Sequence, residues 1–276
     1  MGAALIGSIA GIERALAELR ADGDAPAQRT SVLTHVAWVP AEWTRAADEI
    51  LEALGERYPS RTILLHPQPD AEGAGLEAEV ERECFAGSER SVCAEVIRIH
   101  LRGRSAAAPA TVVEPLLLPD LPVFLRWRGL PSFESAEYVQ LTGIADRLIV
   151  DSGEWPEPRY RELAGSFGRT AVSDLAWRRT LGWRARIAER WPLAGERLRV
   201  TGPRAEATLL AGWLRSRLRH DVAHAHRPAG ELEEVSVDGC RVPAPAGHAL
   251  SPADQLSAEL DVFGRNPVYE QAVTAA

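Results

Sequence analysis

The chain contains no lysine: all 31 of its basic side chains are arginine. That absence removes the Walker lysine of a P-loop NTPase, the strand lysine of a protein kinase and any Schiff-base lysine. Cysteine is nearly absent as well. Cys84, Cys93 and Cys240 are too few and too dispersed for a disulfide framework or a CxxC zinc site. No apolar run approaches the ~20 residues that span a bilayer. The opening MGAALIGSIAGIER has no basic segment and meets Glu13 early, unlike a secretory leader. GxSxG, HExxH and EF-hand patterns are missing too. These absences predict a cytoplasmic protein with no membrane attachment, no metal and no bound cofactor.

What is present is globular in composition, with 276 residues, 46% hydrophobic and 25% charged. That suffices for one large α/β domain or two smaller ones. The net charge of −8 is unevenly spread. Residues 1–90 carry −8 and residues 220–276 carry −6, while residues 120–219 carry +5. An acidic protein is a poor general ligand for nucleic acid, whose affinity comes mostly from phosphate neutralisation, so none is expected. The basic middle third suits an acidic partner surface.

Hydrophobic periodicity orders the elements. Leu5, Ile9, Ile12, Leu16 and Leu19 recur at helical spacing over 4–20. The strand SVLTHVAWV (31–39), a helix from Trp43 to Tyr58 and the strand RTILLH (61–66) form a βαβ unit. In 76–84 glutamate occupies every odd position from 77 to 83, which is period two and therefore strand. Pairing it with SVCAEVIRIHLRG around a turn at Gly87–Arg90 makes opposite residue numbers sum to 177. Leu76 then meets Leu101, Ala78 meets Ile99 and Val80 meets Ile97, while Arg82 faces Glu95, Glu79 faces Arg98 and Glu77 faces His100. Apolar pairs and opposite charges coincide in that register, each worth ~0.2–1 kcal/mol.

Further on, the pattern predicts a helix near 106–117, a strand at 122–128, a helix near 134–144 and a strand at 147–152. A long helix from an Asp174 or Ser173 cap should reach Arg190, with Ala176, Thr180, Trp183 and Ile187 on one stripe. A short strand at 198–202, a helix at 205–219, a hairpin turning at Asp238-Gly239 and a last helix from Ser251-Pro252 complete the reading. The fold class is α/β: a Rossmann-like three-layer mixed sheet over 1–152 with a smaller C-terminal α+β part over 153–276.

Four features could carry function. GAGLEA (73–78) imitates a dinucleotide loop, but a strand of glutamates follows where a helix is required, so it reads as a plain loop. His220, His224 and His226 lie close in sequence, yet a strand there would put His220 a further ~13 Å back, so they read as a solvated cluster. The hairpin register makes Cys84 and Cys93 direct neighbours, either as packed thiols or as a redox pair. The fourth and densest feature is Trp and Arg between Trp155 and Arg219. Trp177, Arg178, Arg179, Trp183 and Arg184 fit either a core helix with wet arginines or a partner-binding face, since Trp and Arg are enriched at hot spots. Arg126, Arg128 and Arg147, near strand ends, are the alternative: a site for a small ligand such as a sugar phosphate.

Several strings together resemble one family, the glucose-6-phosphate dehydrogenase assembly proteins (OpcA). They are PSRTILL (59–65), LEAEVE (76–81), EPLLLPDLPVFLRWRG (114–129), ADRLIVDS (145–152), SDLAWRRTLGWR (173–184), AGWLRSRL (211–218) and LSAELDVFGRNPVYEQAV (256–273). The resemblance implies a non-enzymatic factor that binds glucose-6-phosphate dehydrogenase and promotes its active state in the oxidative pentose phosphate pathway. Redox control through cysteines, associated with cyanobacterial relatives, does not transfer to Cys84 or Cys93.

Overall fold

The computed structural model describes residues 5–21, 31–54, 60–86, 91–190, 195–246 and 250–276, without the side chains of 83–86 and 91–93. The connection at 22–30, the turn Gly87–Arg90, Tyr58 and Trp191 lie outside the described residues. Backbone proximity divides the chain into two compact units, Met1–Leu148 and Ile149–Ala276.

The first unit contains α1 (Ile9–Ala21), β1 (Leu33–Trp38), α2 (Thr44–Leu54), β2 (Ser60–Gln68), β3 (Ala74–Ala86), β4 (Ser91–Gly103), α3 (Ala110–Val113), β5 (Val123–Trp127) and α4 (Ala136–Ile144). The unit boundary falls inside β6 (Arg147–Val150), and β7 (Ala171–Asp174) follows. The order β3-β4-β2-β1-β5-β6-β7 makes a seven-stranded sheet. In it, β4-β2-β1-β5 run parallel and β3 runs antiparallel to β4. β1 is buried at all six positions, as a strand covered on both faces must be.

Side-chain parity shows what covers it. Ala37 and Leu64 are register partners that pack with Ala47, Trp43 and Leu51, so α2 lies on their face. The neighbouring positions point the other way: Arg61 and Glu95 are partners there, and Glu95 binds Arg20 of α1. Helices thus flank the sheet on both faces, the expected three layers.

The hairpin register is the one derived from the sequence, residue for residue, from Leu76↔Leu101 to Cys84↔Cys93. Its charge partners differ. Glu77 pairs with Arg102 and Glu81 with Arg98, each displaced by two residues from the directly opposite position. Sheet twist brings such diagonals within reach of long side chains. Arg82 donates to the Leu19 carbonyl, because Glu95 is already held by Arg20 and Arg61.

Three helical expectations are corrected. The helix begins at Ile9, and Ile6 instead exchanges two backbone hydrogen bonds with Ala78 of β3. The single helix expected near 106–117 is a 3-10 turn (Arg104–Ala107), the four-residue α3 and another 3-10 turn (Glu114–Leu116). Pro109 and Pro115 lack the amide that a continuous helix needs. The long helix after Asp174 is two helices, α6 (Leu175–Arg179) and α7 (Leu181–Ala188). They break at Thr180, whose hydroxyl donates back to the Trp177 carbonyl.

The second unit also holds α5 (Tyr160–Ala164), β8 (Arg197–Gly202), α8 (Arg204–Leu218), β9 (Ala223–Pro228), β10 (Glu234–Val237), β11 (Cys240–Arg241), α9 (Pro252–Leu260) and α10 (Pro267–Thr274). Its four-stranded sheet runs β11-β10-β8-β9, with β8 and β9 parallel across α8. Asp238 and Gly239 take φ of 50° and 80° and turn the β10–β11 hairpin, as Asp-Gly implies. At Gly212, α8 meets α10 so closely that a Cβ would lie 2.2 Å from the Ala272 carbonyl oxygen. The sequence reading did not include α10, although Asn266 and Pro267 form a normal start: the Asn266 carboxamide oxygen accepts from the Tyr269 amide.

Candidate functional site

The most concentrated polar chemistry in the second unit surrounds Asp174. As the last residue of β7 and the cap of α6, it accepts from the Ala176 amide at 2.9 Å. That local role is legible from the sequence. The tertiary role is not: the same carboxylate accepts from the Ser152 amide at 3.0 Å, the Ser152 hydroxyl at 2.6 Å and the Tyr269 hydroxyl at 3.3 Å. Ser152 and Tyr160 share a further hydroxyl contact at 3.0 Å.

Asp174 is only 1% exposed. Burial and the nearby Asp151 push its pKa up to about 7, against the pull of the Ser152 donors and Arg179. The loss of hydration exceeds what those donors return. Tyr160 and Tyr269 are held well above the usual phenol range, first by burial and then by the Asp174 charge, so both are neutral donors.

Arg179 forms the second centre. Its guanidinium grips Asp151 at two points, 2.7 and 2.9 Å, and also binds Glu206 and Gln255. The two carboxylates raise its pKa, against the opposing effect of burial. Arg178 binds Glu259 and the Ala258 carbonyl of α9. Arg184 lies over the Trp177 ring at 3.5 Å and donates to the Thr180 hydroxyl. Burial, together with the Arg178 charge, lowers its pKa to about 10.

Trp177 and Trp183 are buried, at 4% and 5% exposure. The expected Trp/Arg face is therefore an internally bonded part of its own unit: α6 supplies Arg178 and Arg179, and Asp151, α8 and α9 supply their acids. The large apolar residue exposed on α6 and α7 is Leu181, at 54%.

In the first unit, Arg126, Arg128 and Arg147 are buried at 3%, 6% and 1% exposure. Arg126 donates to the Trp127 carbonyl, and Arg128 lies over the Trp43 ring at 4.6 Å. His35 sits beside Arg126, and burial with that charge lowers its pKa to about 4. Cys84 and Cys93 face each other in register, and their side chains lie outside the described residues. His224 contacts Arg215, while His220 and His226 contact backbone carbonyls. Among the described residues no group of three His, Cys, Asp or Glu side chains is arranged to hold a metal, and no helix is long and apolar enough to cross a membrane.

Sequence reasoning also missed a cavity of about 440 Å³ at the carboxyl ends of β1, β2 and β4. Trp38, Pro67, Pro69, Ala106 and Ala107 wall it, and Arg104 and Glu137 supply its charged groups. Only the general rule that α/β sheets bind ligands at these strand ends signalled it in advance.

Comparison with known proteins gives these features a family. Residues 51–164 match the family model described as the glucose-6-phosphate dehydrogenase subunit N-terminal domain. A Nostoc punctiforme protein named putative OxPP cycle protein OpcA is 31% identical over 208 residues, covering 68% of this chain and 43% of the relative. The Synechocystis protein of the same name is 29% identical over 211 residues, covering 69% and 44%. The chain thus spans less than half the length of the curated relatives it matches. With the α/β architecture and the matched segments taken together, this chain belongs to the OpcA family.

Proposed function

We propose that this chain binds glucose-6-phosphate dehydrogenase and promotes its assembled, active state in the oxidative pentose phosphate pathway, acting in the cytoplasm as a partner protein and not as an enzyme. The observation that carries this reading is the match of residues 51–164 to a domain described as a subunit of that dehydrogenase. The names of the relatives place them in the same pathway. Residues 1–152 and 153–276 act as its two domains.

The physical mechanism requires no chemistry on this chain. A protein that binds the active form of an enzyme more tightly than the inactive form shifts their equilibrium by the difference in affinity, which makes it an allosteric activator. NADP and glucose 6-phosphate remain the dehydrogenase's own ligands.

Trp177, Arg178, Arg179, Trp183 and Arg184 enter the proposal as the frame of the contact face. Their interactions hold α6 and α7 in place, while Leu181 and Arg186 of α7 reach solvent and meet the partner. The test is dehydrogenase activity and co-purification with this chain present or absent. Activation and a stable complex are expected, with both lost in Leu181→Asp while the melting temperature is unchanged. Failure of the native chain to bind or activate its cognate dehydrogenase refutes the function. Full activity of Leu181→Asp refutes the placement.

A further inference from the structure

We propose that the cavity at the carboxyl ends of β1, β2 and β4 is a binding site for a small aryl or heteroaryl anion. This goes beyond the dehydrogenase reading and rests on different residues.

The topology puts the cavity where doubly wound sheets hold ligands. The chain leaves β1 toward β2 on one side, whereas β5 is followed by β6 on the other, so the strand order reverses between β1 and β5. Beside such a reversal the connecting loops diverge and leave a crevice. Trp38, the last residue of β1, lines the cavity, and behind it Trp127, the last residue of β5, stacks at 5.0 Å and 18° between ring planes. Tyr138 meets Trp127 edge-on, and Phe133 meets Tyr138 in the same way. The indole wall is therefore backed by aromatic packing and does not have to form on binding.

The opposite wall is also fixed. Gly103 ends β4 with φ of 50°, and a Cβ there would lie 1.9 Å from the Gly73 carbonyl oxygen. The β2–β3 loop that contributes Pro69, Ala71 and Gly73 is thus seated directly on the backbone at Gly103.

The lining selects the ligand. Trp38, Pro67 and Pro69 offer flat or rigid apolar surface, which favours a ring over a flexible chain because little rotamer freedom is lost. Arg104 is exposed and, among the described residues, has no carboxylate partner, so its guanidinium is available to an anion. Glu137, in the first turn of α4, adds one acceptor for a hydroxyl or N–H on the ring. About 440 Å³ is within the usual range for small-molecule pockets. Arg126, Arg128 and Arg147 do not line it, so Arg104 takes the role assigned to cations in the sequence reading.

The test is saturation-transfer NMR on the full chain with phenyl phosphate and benzoate, which separate a phosphate from a carboxylate preference, and benzylamine as the wrong-charge control. At least one anion should bind. Arg104→Ala, a change at an exposed side chain, should weaken it about tenfold, and Ala107→Trp should abolish it by filling the cavity. The proposal is overturned if neither anion binds, if benzylamine binds equally well, or if Arg104→Ala leaves the affinity unchanged. Melting curves verify that Ala107→Trp is folded, and the Arg104→Ala result decides the matter if it is not. Dehydrogenase co-purification is scored separately, so either idea can fail alone.

Discussion

Replacing Arg179 with methionine isolates what its guanidinium does, because methionine keeps the apolar stem and removes the charge. In the native chain one cation serves Asp151, Glu206 and Gln255. Without it, Glu206 keeps a carboxylate at 1% exposure with its Arg179 counter-ion gone, and Asp151, at 13%, loses both of its bonds to the guanidinium. Removing one partner of a buried ion pair costs about 3–5 kcal/mol, mostly as the penalty of the stranded charge. The lower end applies here, because the Arg179 side chain is itself 29% exposed. A 3 kcal/mol loss would lower the melting temperature by ~5 °C if all 276 residues unfold together. The drop would be ~11 °C if residues 149–276 unfold as their own cooperative unit. Urea titration and calorimetry on Arg179→Met, Glu206→Gln and the double variant provide the measurement. The double variant should recover ~1–2 kcal/mol relative to additivity, since the second change removes the stranded charge. A single-variant loss below ~0.5 kcal/mol, or strict additivity, would refute the account. The same reasoning makes charge reversal at Arg178, Arg179 and Arg184 a test of folding more than of partner binding.

Other consequences can be measured alongside. His35, lowered to about 4, stays neutral in the folded chain while the unfolded chain takes up a proton near 6.5. Its contribution, ~3 kcal/mol, is present above 6.5 and is lost as the pH falls toward 4. His35→Phe should flatten that part of the pH–stability curve, and an unchanged slope would refute the assignment. Asp174 has the opposite sign. Raised to about 7, it stabilises fully below about 4 and loses that contribution as the pH rises to 7, so Asp174→Asn should remove a decline over that window. Gly103→Ala should destabilise the first unit by several kcal/mol or prevent folding, read by urea titration, because strain at φ 50° adds to a backbone clash. Arg184→Gln should cost only ~0.5–2 kcal/mol, the value of a partly desolvated cation over an indole, and a larger loss in the same titration would mean another role.

The sequence discloses most where periodicity and length reinforce each other. Thirteen-residue strands with apolar and charged partners on both faces admit one register, and the β3–β4 pairing follows it. Ion-pair partners within that hairpin were less legible, because twist favours diagonal neighbours and because Arg20, distant in sequence, competes for Glu95. Tryptophan was the most ambiguous signal. Trp177 and Trp183 suit a core and an interface equally, and only tertiary packing decides between them. The arginines followed: Arg126 lies in a strand buried at all five positions and Arg128, just beyond its end, is buried too, so proximity to a strand end did not bring solvent access. Asp174 could be read as a cap, but its bonds to Ser152 and Tyr269 join residues 22 and 95 positions away and leave no local trace.

The Glu-studded strand β3 has a further consequence. It forms one end of the seven-stranded sheet, and among the described residues only the short bridge at Ile6 lies on its far side. A long outer strand of this kind is an open template for another chain, and Glu77, Glu79 and Glu81 place a fence of charged side chains along it, Glu77 and Glu81 paired with Arg102 and Arg98 of the next strand. Exchanging those three for threonine would keep the strand's backbone preference but dismantle the fence, and chains would begin to stack edge to edge.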